Sequence, residues 1–188
     1  MTSNSADEFF TWLGKCITAW AQVEEHLFEI CVHSLRATKH RVAIVYYRTP
    51  TLDSRLQLTN ELVRTVLPAR DPPSGGHDHP DTKKWDDLRG QIIGLLPVRN
   101  RMAHHPVTYK DLGLPVLGLS TPGPGFALPV IGSWYESYVS EAEKLRGKRE
   151  DIKPLTAPDL SQHRVSVEIV IKQLALFRAR VLSKYSQR

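Results

Sequence analysis

The sequence predicts an all-α protein, and three segments indicate this class. Residues 7–35, 83–105 and 159–181 each repeat apolar side chains at the three- and four-residue spacing of an amphipathic helix. The chain has 188 residues, of which 41% are hydrophobic and 24% are charged, as is typical of a soluble globular domain. We therefore expect one mainly helical domain over residues 1–188.

The first helix is predicted over residues 7–35. One apolar stripe runs along it and comprises Phe9, Leu13, Cys16, Trp20, Val23, Leu27, Ile30 and Cys31. On a helix, Glu24 lies about 40° from Trp20, inside this stripe, so its carboxylate needs a partner. Cys16 and Cys31 would be about 22 Å apart along the same helix, too far for a disulfide, and we expect both thiols to be reduced.

A further helix is predicted to begin at Thr51 or Asp53. It is followed by residues 68–82, which hold four prolines and the pair Gly75 and Gly76 without any apolar period. This composition predicts a flexible surface loop. We expect the loop to connect two helices and not two domains.

The helix predicted over residues 83–105 contains Pro97 and is followed by Pro106. Because Pro97 has no backbone N–H and its ring crowds the preceding turn, we expect a kink or a new helical start just before Arg99. Pro106 disfavours helical geometry in the residue before it, so the helix is predicted to end near His104.

An insertion and a last helix complete the prediction. Within residues 107–133, two apolar runs at 114–119 and 126–131 flank a Pro/Gly-rich turn, which predicts a small β-hairpin or a loop. The last helix is predicted to begin at Asp159 or Ser161. Its apolar face is expected to comprise Val165, Ile169, Leu174, Phe177 and Val181.

The net charge and the pattern of apolar residues indicate the kind of partner and the cellular location. The formal net charge of +5 favours a polyanionic partner weakly. The sequence has neither an apolar run long enough to span a membrane nor the basic and apolar start of a signal peptide. We expect a cytoplasmic protein that does not enter a membrane.

Five residues are candidates for binding or catalysis: Arg99, Asn100, Arg101, His104 and His105. Arginine binds phosphate through a fixed fork of donors, and histidine transfers protons near neutral pH. On a helix, Asn100 and His104 share a face, whereas Arg99 and His104 diverge by about 140°. The arrangement therefore favours a site between two helices or two subunits. The alternative is that these side chains only cap helix carbonyls and contact water.

The segment from Arg99 to His104 resembles the Arg-x(4–6)-His motif of the HEPN superfamily (higher eukaryotes and prokaryotes nucleotide-binding domains), which often has a polar residue after the arginine. Residues 20–27 (WAQVEEHL) resemble the long first helix of bacterial members. The resemblance covers residues 8–106 and the last helix, whereas residues 107–133 depart from it. It implies an antiparallel bundle of four to six helices, a homodimer and metal-independent ribonuclease activity, often as a toxin.

The resemblance also implies roles for individual residues. Arg99 would stabilise the scissile phosphate, His104 would act as general base or acid, and Asn100 would orient one of them. The RNA's own 2′-hydroxyl would be the nucleophile, so neither a metal nor another cofactor is expected. His104 is preferred over His105 because Ala103 precedes it, as in the common Asn-x-x-Ala-His form of the motif.

Three further residues, Arg101, His105 and Glu24, are predicted to contact the substrate or to hold the catalytic residues. Arg101 can pair with His105 four residues later. Glu24 is the candidate to hold His104 or Arg99, unless it pairs with another arginine.

Alternative functions and one alternative site remain open. The first alternative function is a catalytically inactive nucleotide- or RNA-binding module, or a partner of a nucleotidyltransferase-like antitoxin. The second is a protein-interaction module that docks through residues 114–131. His77, Asp78 and His79 could bind a metal, but a solvated loop is the simpler interpretation.

Overall fold

The computed structural model describes residues 3–67, 79–104, 107–111, 127–131, 155–182 and 184. Helices make up most of these residues, which confirms the all-α class. In this part of the chain, no helix combines the length and the hydropathy that a membrane crossing requires.

Helix α1 spans Ser3–Leu35 and begins before the predicted residue 7. Its predicted apolar stripe is confirmed, because every member except the partly buried Leu13 is buried. The helix is followed by Arg36, whose φ of 49° places it in the left-handed region. A left-handed residue directly after a helix ends the repeat of its hydrogen bonds.

Helices α2 and α3 span Lys39–Arg48 and Leu52–Val66. Thr51 is the N-cap of α3, because its hydroxyl accepts a hydrogen bond of 3.1 Å from the Ser54 amide. This satisfies one of the helix's unpaired N–H groups. Of the two predicted starts, Thr51 is therefore confirmed.

Helix α4 spans Pro80–His104. It begins earlier than predicted, so the predicted loop at 68–82 is wrong for residues 80–82, while residues 68–78 lie outside the described part. Proline suits the first helical turn because its missing N–H would be unpaired there in any case. The residue before it, His79, accepts a 3.1 Å hydrogen bond from the Asp81 amide through Nδ1.

The interior proline does not interrupt α4. Pro97 lies within the continuous helix, so the alternative of a new helical start was wrong. Leu96 is buried on one side of it, and Val98 packs against a hydrophobic cluster on the other. The packing of Leu96 and Val98 acts against the cost of a proline inside a helix, about 3 kcal/mol. The predicted end at His104 is confirmed.

Two short strands follow. β1 (Val107–Asp111) pairs antiparallel with β2 (Ala127–Ile131), with Val107 opposite Ile131 and Asp111 opposite Ala127. The first of the two apolar runs from which a hairpin or a loop was predicted, residues 114–119, lies outside the described residues.

Helix α5 spans Ala157–Phe177 and continues into a π-helical segment, Arg178–Leu182. Asp159 is the third residue of the helix and not its first. Its carboxylate accepts hydrogen bonds from the amide (2.8 Å) and the hydroxyl (2.6 Å) of Thr156, half of a capping box.

The predicted apolar face of α5 was partly wrong. Val165 and Ile169 are 47% and 49% exposed. Leu174 and Phe177 are buried as predicted. The buried face also includes Leu160, His163, Val167 and Val170.

The structure groups into two compact units. Unit A comprises Met1–Ile17 and Pro97–Arg164, and unit B comprises Thr18–Leu96 and Val165–Arg188. In unit A, Phe9, Cys16, Leu155 and Leu160 form a buried cluster. In unit B, Trp85 is fully buried, and its ring lies 5.4 Å from that of Phe177. The single-domain assignment stays a prediction.

Candidate functional site

The motif residues lie in the last two turns of α4, in unit A. Val98 and Met102 are partly buried against the hydrophobic cluster of that unit. Asn100 and His104 are exposed. Since four residues separate them, the amide and the imidazole share one face of the helix, directed away from the cluster.

Two arginines flank this exposed face. Arg99 and Arg101 are each partly buried and lie about 100° to either side of Asn100 around the helix axis. Nη1 of Arg99 donates a hydrogen bond of 3.3 Å to Oδ1 of Asn100. This contact uses one of the five N–H donors of the guanidinium.

The side-chain types on this surface are those that could bind an anion and transfer a proton. A guanidinium binds phosphate oxygens in pairs, and an exposed imidazole can give or take a proton. Among the predicted residues, the structure thus brings Arg99, Asn100 and His104 onto adjoining faces of one helix end. His105 lies outside the described residues.

Glu24 has a partner in unit B. Its Oε2 lies 2.6 Å from Nη1 of Arg55, and the two side chains are 22% and 17% exposed. Nε of Arg55 also donates a 3.0 Å hydrogen bond to the Thr49 carbonyl. The pair links α1 to α3, as the alternative interpretation of Glu24 expects. A role of Glu24 towards Arg99 or His104 stays a prediction.

Arg55 is a residue that the sequence analysis did not single out. Its guanidinium lies 5.6 Å from the ring centres of both Tyr46 and Tyr47, within the range of cation–π attraction. The Tyr46 hydroxyl donates to the Glu24 carbonyl over 3.1 Å. The available signal was the spacing of Arg55 from Leu52, three residues that place it beside the apolar face of α3.

His163 was also missed. It is 6% exposed on the buried face of α5, and burial lowers the pKa of its imidazole to about 4. Leu160 and Val167, three residues before it and four after it, are fully buried. This spacing was the signal that could have placed His163 on the inner face.

Acid is expected to destabilise the protein through His163. The folded protein holds this imidazole neutral down to about pH 4, whereas the unfolded chain protonates it near 6.5. Between these values the unfolded state binds more protons, so the free energy of unfolding falls as pH falls, by up to about 3 kcal/mol. Urea denaturation from pH 7 to pH 4 measures this slope.

The matched variants for this experiment are His163→Gln and His33→Gln, of which His33 is exposed. His163→Gln should lose most of the slope between pH 6.5 and 4, and His33→Gln should keep it. An unchanged slope in His163→Gln would show that the buried imidazole does not titrate in this way.

The two cysteines are unsuited to nucleophilic catalysis. Both are free and buried, as predicted. Burial raises the pKa of the Cys16 thiol and that of the Cys31 thiol to about 11, so both stay protonated near neutral pH. Sγ of Cys16 donates to the Leu160 carbonyl over 3.2 Å.

Of the three possible metal ligands predicted at residues 77–79, the structure describes only His79. His77 and Asp78 lie outside the described residues, and Nδ1 of His79 caps α4. Among the residues with described positions, no group of three or more His, Cys, Asp or Glu side chains is arranged to hold a metal ion.

Comparisons with protein-family models, with curated proteins and with solved structures gave no match.

Proposed function

We propose that the chain is a HEPN-like, metal-independent endoribonuclease. The observation that supports this proposal is the end of α4, where an exposed amide and imidazole lie between two partly buried arginines. The combination supplies charge stabilisation and proton transfer, which are the two requirements for cleaving RNA with its own 2′-hydroxyl.

In the proposed reaction, the 2′-oxygen attacks the adjacent phosphorus and the bond to the 5′-oxygen breaks. A base takes the proton of the 2′-hydroxyl, and an acid protonates the departing 5′-oxygen. The products are a 2′,3′-cyclic phosphate and a 5′-hydroxyl. Arg99 neutralises the charge on the phosphate oxygens, and its hydrogen bond to Asn100 contributes to orienting the guanidinium.

The proposal includes a homodimer. One helix end offers a single His104, whereas the reaction needs both a base and an acid. Two copies that face each other would supply two imidazoles to one cleft, and would let the Arg99 of one copy and the His104 of the other meet the same phosphate. Each copy would be an antiparallel bundle of four to six helices.

The remaining predicted residues have supporting roles in the proposal. Arg101, on the opposite flank from Arg99, would contact a neighbouring phosphate. His105 would contact the substrate beside His104. Glu24, through its pair with Arg55, would support the first helix. A toxin of this kind would be neutralised by an antitoxin, for which a nucleotidyltransferase-like protein is our candidate.

The direct test is incubation of the purified protein with single-stranded RNA in excess EDTA. We expect endonucleolytic cleavage that leaves cyclic phosphate ends and does not depend on divalent ions. RNA that is bound but not cut, with affinity lost in Arg99→Ala, would contradict catalysis and establish the binding-module alternative. Cleavage that stops in EDTA would contradict the metal-independent mechanism.

A further inference from the structure

A groove of about 350 Å³ lies in unit B, between α4 and the end of α5 with its π-helical continuation. From α4 it is lined by Lys84, Asp87, Leu88 and Gln91. These positions follow the spacing of a single helix face. The volume is at the lower end of the range for small-ligand sites, roughly 300–1,000 Å³.

The opposite wall has the same spacing and a similar order of chemistry. Gln173, Leu176, Phe177 and Arg180 line it. Phe177 is buried, and Leu176 is 51% exposed. Each wall thus offers one cation, one amide and an apolar side chain between them, and the α4 wall adds the Asp87 carboxylate.

Two contacts set the relative direction of the walls. The Trp85 and Phe177 rings lie 5.4 Å apart, and Nζ of Lys184 lies 3.5 Å from Oδ2 of Asp81. Residue numbers therefore rise along one wall as they fall along the other, so the two segments are antiparallel.

Because the two walls are antiparallel, the two ends of the groove differ in their side chains. Lys84 and Arg180 lie towards one end, and Gln91 and Gln173 towards the other. Seven residues separate the cation from the amide on each wall, which is about 10 Å along a helix. Asp87 lies between the two ends.

The Gln173 side chain is partly buried. Its Oε1 is buried and accepts no hydrogen bond from any described residue. An enclosed oxygen cannot accept a hydrogen bond from a ligand in the groove, so the amide can offer only its N–H donors there.

We propose that this groove binds a nucleoside monophosphate. Lys84 and Arg180 suit its phosphate, since both are cations at one end, where Nζ of Lys84 also lies 3.8 Å from Oδ1 of Asp81. Asp87 suits the ribose, because a carboxylate accepts hydrogen bonds from vicinal hydroxyls. Gln91 and Gln173 suit the base edge, since the exposed Gln91 amide can both donate and accept, and the Gln173 amide can donate.

The same order of groups disfavours a simpler amphiphilic anion. A fatty acid would place its alkyl chain against the Asp87 carboxylate and leave the two amides at the far end without partners. A nucleotide has a hydroxyl-bearing sugar in the middle and a hydrogen-bonding base at the end. Its base can also lie against the apolar wall of Leu88 and Phe177.

The site is independent of the motif at the end of α4, so its test is separate from that of the nuclease. Isothermal titration calorimetry with 5′-AMP, 5′-GMP, 5′-CMP and 5′-UMP on the full chain should give saturable binding to at least one of them. Arg180→Ala and Lys84→Ala should each weaken binding about tenfold, as expected for loss of one charged phosphate contact.

The matched controls are Lys172→Ala, which removes an exposed lysine of α5 that does not line the groove, and His104→Ala. Both should bind as the wild type does. Asp87→Asn should reduce the preference for ribonucleotides over 2′-deoxynucleotides. A short RNA with a 5′-phosphate should compete with the mononucleotide if the natural ligand is an RNA end, and should not compete if it is a free nucleotide.

Two results would overturn the proposal. The first is the absence of saturable binding to all four nucleotides. The second is binding that is lost in His104→Ala but kept in Arg180→Ala and Lys84→Ala, because this would place the nucleotide at the end of α4.

Discussion

Replacing His104 with alanine should reduce RNA cleavage by about 10²–10⁴-fold, the usual contribution of a general acid or base. The side chain is exposed at the end of α4, so its removal creates no cavity and should leave the melting temperature unchanged. The loss is read from initial rates on a labelled RNA, with circular dichroism as the check on folding. Expression of the variant should also lack any toxicity of the wild type.

The control for this variant is His33→Ala, which removes another exposed histidine from the last turn of a helix. It should cleave RNA at the wild-type rate. Equal rates for His104→Ala and the wild type would remove His104 from the mechanism. If His33→Ala were equally impaired, the loss would reflect a general effect on charge or folding.

Replacing Trp85 with alanine should lower the free energy of unfolding by about 4 kcal/mol, the largest effect on stability that we expect. Trp85 is fully buried in unit B, packs on the Phe177 ring, and donates from Nε1 to Oδ1 of Asn60 over 3.0 Å. The substitution removes the ring and leaves a buried amide oxygen without its donor. The midpoint of urea denaturation measures the change.

Trp85→Phe separates the two contributions. It keeps most of the apolar volume but removes the donor, so it should cost about 1–3 kcal/mol, the penalty of one unsatisfied buried group. A cost as large as that of Trp85→Ala would assign most of the effect to the hydrogen bond. A change below about 1 kcal/mol for Trp85→Ala would contradict the packing described for unit B.

The fold was predictable where the hydrophobic pattern selects one face. Along α1 the apolar residues recur with a clear helical period, and the predicted stripe from Phe9 to Cys31 is buried apart from the partly buried Leu13. The start of α3 was also predictable, because Thr51 provides a local capping group.

Prediction failed where the local pattern was ambiguous. Residues 157–177 carry apolar side chains on several faces, so periodicity does not select the face that packs. Val165 and Ile169 are consequently exposed, whereas Val167 and Val170 are buried. A kink or a new helical start was expected at Pro97 because its local cost is visible in the sequence, and the new start was wrong. The packing of Val98 is a tertiary effect that the sequence does not show.

Part of the candidate site was also predictable from the sequence. The spacing of Asn100 and His104 sets their common face from helix geometry alone. The apolar stripe showed that Glu24 needs a partner, but Arg55 lies 31 residues away in sequence, and spacing cannot identify so distant a contact. The bond between Arg99 and Asn100 depends on side-chain rotamers, which a sequence does not reveal.

The most direct test of the central claim uses a DNA oligonucleotide with a single ribonucleotide, incubated with the wild-type protein in EDTA. If the 2′-hydroxyl is the nucleophile and His104 transfers the proton, cleavage should occur only on the 3′ side of that ribonucleotide. Mass spectrometry should then find a 2′,3′-cyclic phosphate on one product and a 5′-hydroxyl on the other. Cleavage at the deoxynucleotides, or a 5′-phosphate on the product, would contradict the mechanism.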